Sequence, residues 1–97
     1  YEPFVRRLRK LRPGVPIVLA EQSCLWSDQP SAKDRVIRKV HDRLKAEGWK
    51  GLVLLPKKEM YVGLDGTVDG CHANDLGMRT MAEAFGKAVR QALTLKD

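Results

Sequence analysis

A chain of 97 residues with 43% hydrophobic side chains has room for one modest domain and enough apolar matter for a core, which excludes wholesale disorder. No apolar run reaches membrane-spanning length, and the first residues lack the pattern of a secretory leader. The formal charge of +6 belongs to residues 1–50, with twelve Lys and Arg against six Asp and Glu, while residues 51–97 balance at six of each. Most of that excess falls on the solvent side of predicted helices, where solvation accounts for it without nucleic acid as a partner.

Phe4, Val5, Leu8 and Leu11 repeat at helical spacing among Arg6, Arg7, Arg9, Lys10 and Arg12, which predicts a first amphipathic helix ended by Pro13-Gly14. The continuous apolar run Val15 to Ala20 follows a turn signal and reads as a strand covered on both faces, as in a parallel sheet. Residues 21–30 form a loop carrying Ser23, Cys24 and Trp26. Ser31 and Asp34 then have the spacing of a capping box, opening a helix that sets Val36, Ile37, Val40 and Leu44 on one side and stops at Gly48. His41 lies on that helix beside its apolar side, as a partly buried residue.

Gly51 to Pro56 reads as a second covered strand, and a polar loop leads from it to a last helix beginning near Asp75. That helix is expected to bury Met78, Met81, Ala82, Phe85, Val89 and Leu93. Helices and strands alternating at this length imply an α/β fold with a parallel sheet covered by helices. Two strands make a poor version of it, because the first would keep one apolar edge unpaired and the first helix would have no preceding strand to pack beside. The expectation is that further strands lie upstream of Tyr1, with residues 1–97 as the C-terminal part of a single domain. An unpaired edge of this kind also invites dimerisation.

The chemistry is concentrated in Val68-Asp69-Gly70-Cys71-His72-Ala73-Asn74-Asp75-Leu76-Gly77. One short turn can bring a D-x-x-H pair together, and a carboxylate on the Nδ1 side of an imidazole fixes the tautomer of a general base. The loop follows a strand, at the end where α/β sheets place their reacting groups, and Gly63, Gly66 and Gly70 allow it a tight path. Spacing alone leaves the ordinary alternative open: His72 capping a helix or bonding a carbonyl, and Asp69 holding a turn with Gly70. Asp69, Cys71, His72 and Asp75 match no familiar metal-ligand spacing. Ser23 lacks the G-x-S-x-G surroundings of a nucleophile elbow, and Trp26 and Trp49 are packing candidates, Trp26 also for lining a groove. Cys24 and Cys71 form no C-x-x-C pair; a single bridge between them stays open.

Asp69-Gly70-Cys71-His72 through Asp75-Leu76-Gly77, with Met81-Ala82 one turn into the helix, resembles the last motif block of the SGNH (GDSL-like) hydrolases, commonly D-G-x-H-P-x-x-x-G. Pro13-Gly14-Val15-Pro16-Ile17 is similar to the P-x-x-P-I strand of the same family, so the likeness spans the whole chain. The resemblance implies a flavodoxin-like three-layer α/β/α sandwich, to which this chain supplies about two strands and three helices. It also implies a serine carboxylic-ester hydrolase (esterase or lipase), with His72 as general base and Asp69 as its partner. No cofactor and no metal are implied, and the substrate would be an ester such as an acetylated carbohydrate, a short-chain ester or a lipid.

The family's G-D-S nucleophile and G-x-N-D oxyanion motifs do not occur in residues 1–97, so both are expected in the upstream half, and this chain alone is expected to be inactive. Ala73 stands where the family commonly has proline, and Asn74 is expected to compensate as the N-cap of the last helix. The rival reading is a non-catalytic binding module that turns its arginine-rich helices toward an acidic partner or nucleic acid, with affinity falling steeply in salt.

Overall fold

The computed structural model describes residues 1–22, 27, 29–61 and 63–94. Ser23, Cys24 and Trp26, and with them a Cys24–Cys71 bridge, lie outside the described residues. The elements follow in the order α1 (Glu2–Leu11), β1 (Ile17–Ala20), α2 (Ala32–Ala46), β2 (Leu52–Leu55) and α3 (Asp75–Thr94), with two 3-10 turns, Lys57–Glu59 and Leu64–Gly66, between β2 and α3.

The strands pair in parallel with Ile17 opposite Leu52 and Ala20 opposite Leu55, and the pairing extends at both ends through Ile17 N–H to Gly51 O (2.7 Å) and Glu21 N–H to Leu55 O (3.0 Å). Alternation along the strands divides the core. Leu19 and Leu52, with Ile17 and Leu54, face α1 and α2, where they meet Val5, Val40 and Leu44. Val53 and Leu55, with Val18 and Ala20, face α3, where they meet Ala84, Ala88, Ala92 and Met60. The result is the three-layer α/β/α arrangement of the flavodoxin-like type, built around a two-stranded parallel sheet.

The capping box forms as the spacing predicts: the Asp34 amide donates to Ser31 Oγ (3.2 Å), and the Ser31 amide donates to Asp34 Oδ2 (2.8 Å). His41 is half-buried on α2. Trp49 packs on the side of the sheet that faces α1 and α2, with the Arg9 guanidinium 4.6 Å above its ring.

The helix faces depart from the periodicity. On α3 the buried residues are Gly77, Ala84, Ala88 and Ala92, with Met81 packed partly beside them, whereas Met78, Ala82, Phe85, Val89 and Leu93 are exposed. On α1 only Val5 is buried, and on α2 Val36 is exposed. The physical reason is width. Two strands about 5 Å apart offer a strip narrower than one helix of about 10 Å diameter, so it cannot cover a full apolar stripe. An alanine row lets α3 sit close to the sheet, and its larger side chains fall to the flanks.

Candidate active site

Both loops that leave the carboxyl ends of the strands carry charge, and they do so in two different ways. Nearest the sheet the charge is buried. Glu21, one residue beyond β1, accepts the Lys57 amide at Oε1 (2.7 Å) and is bridged by the Arg38 guanidinium. Asp34 accepts the amides of Gln22 and Ser31 (both 2.8 Å) and pairs with Lys57 Nζ at 2.9 Å. Burial alone would push the Asp34 carboxyl up, but the Ser31 and Gln22 amides, joined by Lys57 and the Ser31 side chain, hold it down at about 2. Glu21 and Lys57 belong to no local motif, and the spacing of Asp34 marks it only as a cap. The one available signal was a charge placed directly after each apolar strand.

Farther out lies the loop with Asp69 and His72. A turn closes it: Val68 N–H donates to His72 O (2.9 Å), and Thr67 and Ala73 form an isolated antiparallel bridge. Thr67 Oγ1 donates to Leu64 O (2.9 Å) and accepts the Gly70 amide (2.8 Å). Gly70 takes φ 88°, a left-handed conformation that a side chain would oppose, so the glycine after Asp69 is what lets the chain reverse here.

The Asp69 carboxylate divides its two oxygens. Oδ1 accepts the Cys71 and His72 amides (2.9 and 2.7 Å), while Oδ2 faces His72 Nδ1 at 2.6 Å. The His72 amide, then its ring, then the Cys71 amide hold the Asp69 carboxyl down at about 2. Asp69 is therefore ionised at neutral pH and can only accept, so Nδ1 carries the proton and the neutral ring presents Nε2 as a base. The His72 side chain is 77% exposed and that of Asp69 50%. No hydroxyl among the described residues is hydrogen-bonded to His72, and Thr67, the nearest in sequence, has its proton committed to Leu64.

The loop is fastened to α3 by Asn74, which caps the helix as expected: its Oδ1 accepts the Gly77 amide (3.0 Å), and Nδ2 donates to Asp65 O (2.8 Å) and Thr67 O (3.4 Å). No group of three or more side chains able to hold a metal occurs among the described residues. The arrangement can orient an imidazole, fix its tautomer and receive a proton from an acid brought to Nε2.

Among comparisons with known proteins, a model of the GDSL-like Lipase/Acylhydrolase family matches residues 1–90. No curated protein and no solved structure matches the chain.

Proposed function

The chain belongs to the GDSL-like lipase/acylhydrolase family, and from that premise we propose that it carries the histidine and aspartate of a serine ester hydrolase, with His72 as general base and Asp69 as its orienting partner. One observation carries the reading: an ionised carboxylate pinned by two backbone amides holds Nδ1–H of an imidazole whose Nε2 is open. In this mechanism a serine hydroxyl gives its proton to Nε2 as its oxygen attacks the ester carbonyl. The imidazolium, stabilised by Asp69, then returns the proton to the leaving alcohol. Water repeats the sequence to release the acid. His72 takes up and returns the proton throughout, while Asp69 orients and stabilises the ring without itself becoming protonated.

The serine and the oxyanion donors come, in this reading, from a segment N-terminal to Tyr1 that adds strands along β1. Two features support that placement. Among the described residues β1 pairs on one side only, and a cavity of about 310 Å³ lined by Leu8, Val15, Ile17 and Val18 runs beside it. The basic-module reading has less to stand on. Arg6 and Arg43 are paired with Glu2, Arg6 also with Glu47, and Arg9 lies over Trp49 with a bond to Lys50 O.

The test is hydrolysis of p-nitrophenyl acetate by the complete polypeptide that contains these residues. His72→Ala should lower kcat by several orders of magnitude, on the order of 10⁵ to 10⁶ by comparison with other serine hydrolases, with the fold intact by circular dichroism. A variant as fast as the parent would overturn the assignment.

A further inference from the structure

The Asp69–His72 pair is local, and nothing within residues 69–72 fixes where the pair as a whole points. That job falls to the junction with α3. Four hydrogen bonds converge there. The Asn74 amide donates to Gly66 O (3.0 Å), Asn74 Nδ2 donates to the carbonyls of Asp65 and Thr67, and Asn74 Oδ1 takes the Gly77 amide at the third position of the helix. Gly77 is buried, and a Cβ there would land inside the van der Waals envelope of Gly66 O and 3.0 Å from the Ala73 Cβ. The backbone before the turn and the first turn of α3 therefore touch directly, with Asn74 bonded to both.

We infer that Asn74 is a positioning residue: it staples the loop bearing Asp69 and His72 to α3 and thereby sets the direction of His72 Nε2, with Gly77 providing the close approach the staple needs. This rests on the ester-hydrolase reading above. Capping and stapling use different atoms of one side chain, which makes them separable. Serine caps helices as well as asparagine does, through an oxygen acceptor, but has no amide to donate to Asp65 O and Thr67 O. Asn74→Ser keeps the cap and the backbone bond to Gly66 O and removes the side-chain bonds to Asp65 O and Thr67 O, without adding charge. Gly77→Ala keeps both partners and wedges the loop away from the helix.

The experiment uses the complete polypeptide and reads three things for Asn74→Ser and Gly77→Ala: kcat and KM on p-nitrophenyl acetate, the ¹⁵N shifts of the His72 ring, and the thermal midpoint. A misplacement near 1 Å costs about 10²-fold in rate, so kcat should fall by that order with KM little changed. The ring shifts should stay those of an Nδ1–H imidazole, because Asp69 holds that proton within residues 69–72, and the Asn74→Ser midpoint should stay close to that of the parent. A residue that only capped α3 would leave kcat unmoved in a variant that keeps the cap. Should Gly77→Ala fail to fold, Asn74→Ser decides alone. Parental kcat in Asn74→Ser overturns the inference. His72→Ala, assayed beside it, separates the two ideas: if that variant is inactive while Asn74→Ser matches the parent, the base assignment stands and the staple falls. If His72→Ala remains active, the underlying reading has failed first.

Discussion

Lys57 Nζ lies 2.9 Å from Asp34 Oδ2 across the carboxyl end of the sheet, with 4% and 0% of the two side chains in reach of solvent. The pair joins the start of α2 to the segment leaving β2, and so ties the base of the loop that carries His72 to the core. Its contribution is asymmetric. A buried ion pair adds little over a well-packed apolar pair, but breaking it strands a charge.

Asp34→Ala should therefore destabilise the protein by about 3–5 kcal/mol, since it leaves the Lys57 ammonium without its counter-ion and removes the capping box at once. Adding Lys57→Met to that variant should recover much of the loss. Urea unfolding midpoints of the two variants check both statements, and a double variant no better than the single would refute the stranded-charge account.

Stability should fall in acid over a definite window. The Asp34 carboxyl sits at about 2 in the fold, below its ordinary 3.8. A depressed carboxyl stabilises the fold fully above the unfolded value and loses that contribution as pH drops through the folded one. The loss thus runs from about pH 4 down to about pH 2 and amounts to about 2 kcal/mol for Asp34. Asp69 is depressed to the same level, so its bond to His72 should persist down to the same pH. Chemical denaturation between pH 5 and pH 2 should show the slope, and Asp34→Asn should flatten it.

Asp69→Asn tests the tautomer argument. The asparagine oxygen can still accept the Cys71 and His72 amides, which turns its NH₂ group toward His72 Nδ1. The ring then accepts at Nδ1 and carries its proton on Nε2, the wrong side for a base. In the complete polypeptide kcat should fall by up to about 10⁴-fold. The half-exposed position of Asp69 favours a smaller loss than a fully buried aspartate would give. Steady-state kinetics with acetate esters provide the measurement, and an unaltered kcat would rule the tautomer role out.

Ala88 faces Val53 and Leu55 from the middle of α3. Ala88→Leu adds volume to the buried seam between α3 and the sheet and should cost about 1–3 kcal/mol by overpacking, although leucine is a good helix former. Thermal unfolding reads it. A neutral result would mean that α3 can slide outward freely.

How much of this was legible in the sequence follows from how local each feature is. Asp69 and His72 are three residues apart in a glycine-rich turn, so their pairing could be read directly. The Ser31–Asp34 box and the Asn74 cap are equally local and form as their spacing predicts. The other partners of Asp34 are Gln22 and Lys57, far along the chain, and only the parallel pairing of β1 with β2 brings them together. No local pattern encodes that meeting. The inward face of α3 departs from the periodicity for a different reason. Phe85 and Val89 carry the stronger hydrophobic signal, but the width of the sheet, which periodicity does not contain, selects Ala84 and Ala88.

Because the Asp69–His72 pair closes over a few residues, little chain entropy is needed to form it. Contacts of such short sequence separation form early when a chain folds. The dyad is thus an autonomous unit, assembled by its own turn rather than by tertiary closure. Strands, helix faces and substrate walls elsewhere in a domain can be rebuilt around it without re-solving the alignment of carboxylate and imidazole. What such rebuilding cannot discard is the short stretch of backbone in which the answer is already written.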